Sequence, residues 1–107
     1  MIETVRTQRD EVVAGSGDDV RDEVLRLADG RLLTYRRSGA SRGLGVIALH
    51  GTPGARTKFS VAARPASAMG VSLVAPDRWG YGGTSPHPNP SLRAFADDMA
   101  EIGRAHV

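Results

Sequence analysis

The chain of 107 residues contains no cysteine, a single tryptophan and no long hydrophobic run. Without cysteine it forms neither disulfides nor thiolate metal sites, and this composition is compatible with a reducing cytoplasm. No apolar run approaches the roughly 18 residues of a membrane span, and residues 1–13 lack the apolar core of a signal peptide. We therefore expect a soluble, cytoplasmic protein with no membrane partner.

Lysine is also scarce, because Lys58 is the only one among fourteen basic residues and the rest are arginines. These residues are interleaved with twelve acids, and the net charge is +2. No basic stripe results, so we expect no nucleic-acid partner. Apolar residues make up 40% of the chain, which is close to the globular average and predicts a packed core. A chain of this length allows one domain at most.

The amino-terminal stretch 1–23 is polar, with mixed charge, and has neither a helical nor a strand period. We expect it to be a loosely ordered tail that precedes a folded region over residues 24–107. Within that region, the segment 24–35 contains two short apolar patterns around the turn dipeptide Asp29-Gly30. This pattern predicts a β-hairpin.

A strand, a helix and a second strand are predicted next. The run Val46–Leu49 is continuously apolar, which is typical of a strand covered on both faces of a parallel sheet. Apolar spacing between residues 59 and 69 suits a helix that ends at Gly70, although Pro65 should break or kink it. The strand Val71–Ala75 then stops at Pro76. The order indicates a βαβ unit and an α/β fold.

The last predicted helix begins after Ser91, a residue that favours the helix N-cap. Its apolar residues have helical spacing, and the residues after it, Arg104–Val107, resemble the opening of another strand. The helical positions are Leu92, Phe95, Met99 and Ile102.

Two segments in this order resemble the third and fourth strands of the α/β-hydrolase family with their trailing loops. The first is Val46–Gly54, which ends in His-Gly-Thr-Pro-Gly, and the second is Val74–Thr84. The resemblance covers roughly residues 24–107. It implies the amino-terminal part of an α/β-hydrolase fold, a hairpin followed by a βαβ unit of a mainly parallel sheet. The family's activity is hydrolysis of an ester, amide, epoxide or similar bond through a covalent intermediate.

The first loop of the resemblance carries the family's oxyanion donor. Acyl transfer builds negative charge on a carbonyl oxygen and needs a preorganised backbone N–H aimed at it. In the family, the N–H just after His-Gly is that donor, and here it belongs to Thr52. The supporting residues of the loop are then His50, Gly51, Pro53 and Gly54, with His50 holding the loop rather than acting as a general base. A turn without catalytic meaning is the alternative.

The second loop would lie at the mouth of the active site. Glycines there permit backbone geometry closed to other residues, and an aspartate can bond neighbouring N–H groups. We expect a mainly architectural role, and Trp79, where the family often has proline, can line a pocket. The residues concerned are Asp77, Arg78, Trp79, Gly80 and Gly82.

The family's nucleophile turn, Gly-x-Ser-x-Gly or an aspartate equivalent, comes after the fifth strand, and no such pattern follows the segment Val74–Thr84 in the sequence. The resemblance therefore implies a chain truncated before the nucleophile elbow and inactive alone, which takes a small-molecule substrate only when the full domain is present. A small non-enzymatic βαβ interaction module and a degenerate gene fragment remain alternatives. The strand Val46–Leu49 would have an open edge, which favours self-association.

No cofactor or metal site is predicted. The three histidines are dispersed, and no glycine-rich segment has the spacing of a nucleotide-binding loop. The acidic residues of the last helix, Asp97, Asp98 and Glu101, are expected to form a solvated face.

Overall fold

A computed structural model describes residues 3–6 and 20–106 of the chain. The strands are β1 (Glu3–Arg6), β2 (Val20–Arg26), β3 (Leu32–Gly39), β4 (Leu44–Ile47) and β5 (Val71–Pro76). The helices are a 3₁₀ helix (Arg56–Ala62), α1 (Ala63–Ala68) and α2 (Leu92–Ala105). None of the helices within this part of the chain is long and apolar enough to cross a bilayer.

The strands form one mixed sheet in the order β1-β2-β3-β5-β4. β2 and β3 are the predicted hairpin, and β3 continues antiparallel to β5. β4 pairs parallel with β5 and is joined to it through α1, which confirms the βαβ unit and the α/β fold class. Because β4 and β5 are parallel, the loops that follow them emerge at the same edge of the sheet.

The hydrophobic core lies between the sheet and α2. Ile102 of α2 is 1% exposed and packs with Met99 against apolar side chains of three strands and the hairpin turn. α2 begins where the sequence predicted, because the Ser91 side chain accepts a hydrogen bond from the N–H of Ala94 at 3.0 Å. The core residues from the strands and the hairpin turn are Leu25, Leu27, Leu33, Tyr35 and Val74.

The opposite face of the sheet is covered by the 3₁₀ helix and α1. Tyr35 points toward α2, so its neighbour Arg36 points the other way and bonds Ser60 of the 3₁₀ helix at 2.9 Å. In place of the single helix predicted up to Gly70, this segment forms two shorter helices, the 3₁₀ helix and α1. Pro65 does not break α1, because it lies in the first turn of the helix. The backbone N–H groups of the first turn have no acceptor within the helix, so the missing N–H of proline costs no hydrogen bond there.

Two segments differ from the sequence prediction. Residues Arg104 and Ala105 belong to α2 and do not open a strand, because the helical pattern continues through them; Val107 lies outside the described residues. The predicted tail, 1–23, contains β1 and the first residues of β2, which begins at Val20 and pairs with β3 from there. Residues 7–19 lie outside the described residues.

β4 is a third difference. Its apolar run was predicted to be covered on both faces, but Leu44 is 73% exposed and Val46 and Ile47 are about 40% exposed. The reason is the strand order: β4 is the last strand of the sheet in the described part of the chain, and the helices pack mainly on β3 and β5.

Candidate functional site

The two loops singled out in the sequence meet at the carboxyl ends of β4 and β5. The first loop contains His50, which is 2% exposed, and the second contains Arg78. The backbone N–H of Arg78 donates to Nε2 of His50 at 2.9 Å. Since Nε2 accepts, the proton of the neutral ring lies on Nδ1, which is 2.7 Å from the carbonyl oxygen of Gly51. His50 therefore joins both loops through hydrogen bonds of its two ring nitrogens.

The loop around Thr52 is held from several sides. The Arg78 guanidinium donates from Nη1 to the carbonyl oxygen of His50 at 3.2 Å and to Oγ1 of Thr52 at 3.3 Å. The Thr52–Pro53 peptide bond is cis. Gly54 has no space for a side chain, because an added Cβ would lie 2.7 Å from Nδ1 of His50.

Thr52 itself is exposed at the rim of the site. Its hydroxyl is bonded to Arg78, but none of the described residues accepts a hydrogen bond from its backbone N–H. A backbone donor on a fixed loop that faces solvent is available to an acceptor atom of a ligand. This arrangement is compatible with the predicted donor role.

Asp77 fixes the second loop from inside the protein. It is fully buried, and its carboxylate accepts bonds from the Arg56 N–H at 2.6 Å, from Nη1 of Arg56 at 2.8 Å and from the Gly83 N–H at 2.9 Å. Gly82 has φ +51°, and a Cβ there would lie 2.1 Å from Oδ2 of Asp77. Gly80 also has a positive φ, of +78°. These contacts tie Asp77 and Gly82 into the framework of the loop.

Asp22 extends this ion-pair network to β2. Its carboxylate accepts a two-pronged bond from Arg36, at 2.7 and 3.0 Å, and a further bond from Arg56 at 3.2 Å. Burial raises the pKa of Asp22, but the hydrogen bonds from the two guanidinium groups outweigh it and lower the pKa to about 2. Sequence reasoning missed this residue, because it lies in the stretch assigned to the tail and a single aspartate carries no spacing signal.

A pocket of about 620 Å³ opens beside His50 and Arg78. Its lining combines these polar side chains with apolar and aromatic ones, among them Trp79 from the second loop and Phe95 from α2. Trp79 therefore lines a pocket, as considered from the sequence, whereas the contribution of α2 was not foreseen. The remaining lining residues are Leu49, Tyr81, Pro90, Ser91 and Leu92.

Asp98 is not part of a solvated helix face. It is 5% exposed and accepts from Arg31 at 2.8 and 3.0 Å and from the Trp79 indole N–H at 2.9 Å. Helical periodicity turns it toward the hairpin, while Asp97 next to it is exposed. Glu101 is partly buried and pairs with Arg104. Among the described residues, no group of three or more acids or histidines could hold a metal ion.

Comparison with known proteins gives matches among solved structures alone, since no protein-family model and no curated protein matches the sequence. A thioesterase domain from the curacin biosynthetic pathway superimposes with a TM-score of 0.69 and 21% identity over 82% of this chain. An epoxide hydrolase from Vigna radiata gives a TM-score of 0.63 and 25% identity over 87% of this chain. A mutant epoxide hydrolase from the same plant gives a TM-score of 0.63 and 24% identity over 82% of this chain.

The chain covers 33%, 31% and 28% of these three structures, so it spans about a third of their length. All three are α/β-hydrolases, and the matched part is an amino-terminal portion. The fold of this chain is thus that of the amino-terminal portion of the α/β-hydrolase fold, which confirms the resemblance seen in the sequence.

Proposed function

We propose that this chain supplies the oxyanion-hole loop and one wall of the substrate pocket to an α/β-hydrolase that cleaves an ester, amide, epoxide or similar bond. The observation that carries the proposal is the Thr52 loop. It combines an unbonded backbone N–H with a buried histidine that ties the loop to the next strand. The fold adds support, since the solved structures that share it include a thioesterase and epoxide hydrolases.

The chemistry of the loop follows from its geometry. A substrate carbonyl or epoxide oxygen that gains negative charge in the transition state is stabilised by a donor already in place. The Thr52 N–H has that role in the proposal, and Gly54 lets the loop pass close to His50, where a Cβ would lie 2.7 Å from Nδ1. His50 has a structural role in the proposal, because both of its ring nitrogens are engaged by backbone groups.

Hydrolysis also requires a nucleophile, an acid and a histidine that acts as general base. We propose that these groups are not among the 107 residues, so that the chain alone does not turn over substrate. One oxyanion donor without a nucleophile leaves little of the ~10⁶-fold or larger acceleration typical of enzymes.

The test compares the 107-residue chain with a polypeptide extended by the coding sequence downstream of codon 107. We expect no saturable hydrolysis of short and medium-chain p-nitrophenyl esters by the chain. In the extension we expect one strand and then a Gly-x-Ser-x-Gly or Gly-x-Asp-x-Gly turn, roughly 10 to 20 residues after α2. The extended protein should be active on esters or epoxides, and Gly51→Pro should abolish the activity.

Two results would contradict the proposal. One is saturable turnover by the 107 residues alone that disappears in Gly51→Pro, which would place a nucleophile inside the chain. The other is a reading frame that stops after residue 107 in a protein that folds as a monomer. That result would favour a non-enzymatic βαβ interaction module.

A further inference from the structure

The single tryptophan of the chain is held in a fixed orientation against the pocket. The Trp79 indole N–H donates to Oδ2 of Asp98 at 2.9 Å. The ring of Phe95 meets the indole edge to face, with centroids 5.4 Å apart and planes at 83°, and the His87 ring lies 4.6 Å from it. All three contacts come from the protein itself, so a ligand does not have to order the ring when it binds.

The carboxylate that orients Trp79 is itself fixed. Arg31, at the start of β3, donates two parallel bonds to Asp98, and the exposed fractions of the two side chains are 13% and 8%. Arg31 is held in turn by Asp29, at 2.7 Å. Two-pronged, partly buried bonds between guanidinium and carboxylate are stronger and more directional than exposed ones. The hairpin turn thereby sets the position of an aromatic ring across the sheet edge.

The chemical character of the pocket restricts its ligand. Trp79, Phe95, Leu49 and Leu92 form its apolar part, and the guanidinium of Arg78 is its only charge among the described residues. No acid lines it. A ligand that fits has an apolar group and an electronegative end. Since two aromatic rings at a set angle form the apolar wall, a flat ring gains more contact there than a flexible chain.

We propose that Trp79 determines specificity for substrates that carry an aromatic group next to the reacting bond, and that Asp98 and Arg31 are positioning residues for its ring. This inference rests on the proposed hydrolase function, whose substrate class it narrows.

Binding is measured with two carboxylates that cannot be hydrolysed, phenylacetate and hexanoate, by ligand-observed NMR on the 107-residue chain. Both carry one negative charge, so the attraction to Arg78 contributes equally to the two affinities. The difference between the affinities therefore measures the contribution of the aromatic ring. We expect phenylacetate to bind roughly fivefold to tenfold more tightly, as aromatic contacts provide. In Trp79→Ala this preference is lost, and in Trp79→Phe most of it is retained. Equal affinity for both probes in the wild type, or an unchanged preference in Trp79→Ala, overturns the inference.

The positioning role is tested on Asp98, with its exposed neighbour Asp97 as the matched control. The single indole N–H gives one resolved signal in a ¹H–¹⁵N spectrum. In Asp98→Asn we expect this signal to shift, to exchange faster with water, and to be accompanied by a roughly threefold loss of the phenylacetate preference. Asp97→Asn should change none of these. If Asp98→Asn does not fold, Arg31→Lys is the second variant, because it keeps the charge and removes the two-pronged geometry.

A purely structural role of Asp98 would lower the melting temperature and leave the preference of the folded protein unchanged, which overturns the positioning claim. The hydrolase proposal fails separately. In one outcome, the extended protein has no hydrolytic activity but still binds phenylacetate more tightly than hexanoate, and the preference depends on Trp79. That result refutes the proposed hydrolase function and supports the aromatic site. In the opposite outcome, the extended protein hydrolyses both phenylacetate and hexanoate esters, and Trp79→Ala changes neither rate. That result refutes the aromatic site and supports the proposed hydrolase function.

Discussion

The hydrogen bond from the Arg78 N–H to Nε2 of His50 links the loop after β4 to the loop after β5 at a distance of 2.9 Å. The imidazole is buried and packs edge to face with Tyr81. Together with the bonds from the Arg78 guanidinium to the His50 carbonyl and to Thr52, this bond sets the relative position of the two loops and of the pocket between them.

We expect His50→Ala to lower the free energy of unfolding by about 2–4 kcal/mol. The variant leaves the Arg78 N–H without its acceptor and creates a cavity, and each of these effects costs about 1–3 kcal/mol. The measurement is urea denaturation. His87→Ala is the control, since His87 lies in the proline-rich loop and bonds a surface N–H of Asn89. Equal losses in both variants would contradict the linking role of His50.

The glycines of the second loop provide a graded prediction. Gly80 and Gly82 both have positive φ, but a Cβ meets nothing within 4 Å at Gly80, whereas at Gly82 it meets the Asp77 carboxylate. Gly80→Ala should cost about 1 kcal/mol, from backbone strain alone. Gly82→Ala should cost at least about 2 kcal/mol more, because it also displaces a buried, paired charge. Thermal or urea unfolding of both variants measures the difference.

Gly45→Ala completes this series. Gly45 has neither a positive φ nor a neighbour within 4 Å of an added Cβ, so its substitution should change stability by less than about 0.5 kcal/mol. A Gly82→Ala loss no larger than that of Gly80→Ala would mean that Asp77 moves freely, contrary to its network of bonds.

The ion pairs of Asp22 predict a pH dependence of stability. Its pKa is about 2 in the folded protein, against 3.8 as the ordinary value. Because the pKa is lowered by folding, the ionised carboxylate stabilises the folded protein at pH values above the ordinary pKa. This contribution is lost as the pH falls through the pKa of the folded protein. Because Asp22 is partly exposed and therefore screened, we expect about 1–2 kcal/mol instead of the full effect of the shift.

The measurement compares wild type with Asp22→Asn by urea denaturation between pH 7 and about pH 2. Asp22→Asn should be less stable than wild type at neutral pH, and the gap should narrow below about pH 4. Asp97→Asn, on the exposed face of α2, serves as the control with the same change of charge. A gap for Asp22→Asn that does not change over this range would refute the assignment.

Local sequence patterns predicted the elements that depend on neighbouring residues. The turn dipeptide Asp29-Gly30 predicted the hairpin, and Ser91 predicted the start of α2. Both predictions hold because turns and helix caps are determined by residues that are close in sequence. The first loop was found through its His-Gly-Thr-Pro-Gly motif. The features that failed or were missed depend on contacts distant in sequence.

Asp98 and β4 illustrate this limit. Asp98 lies 67 positions after its partner Arg31, so no local pattern predicts that its charge is buried and paired. The apolar run of β4 resembles that of an interior strand, but whether a strand lies inside or at the edge of a sheet is decided by the strand order.

The exposed edge of β4 leads to a prediction about association. We propose that the 107-residue chain associates with itself through this edge, because an apolar strand with unpaired backbone groups on one side can pair with a second copy. Val46→Lys should reduce the association, measured by sedimentation equilibrium at tens of micromolar. Val61→Lys, at an 89% exposed apolar residue of the 3₁₀ helix, is the control and should have no effect. A monomeric wild type refutes the proposal.

The oxyanion role of Thr52 makes the last prediction, for a form of the protein that is hydrolytically active. The role needs the backbone N–H and not the hydroxyl, which is already bonded to Arg78. Thr52→Ala should therefore change kcat little. A backbone ester at position 52, which replaces the N–H by oxygen, should lower kcat by a factor on the order of 10² to 10³. KM should change much less, because the bond strengthens chiefly in the transition state. A large loss in Thr52→Ala with little effect of the ester would transfer the role to the side chain and refute the assignment.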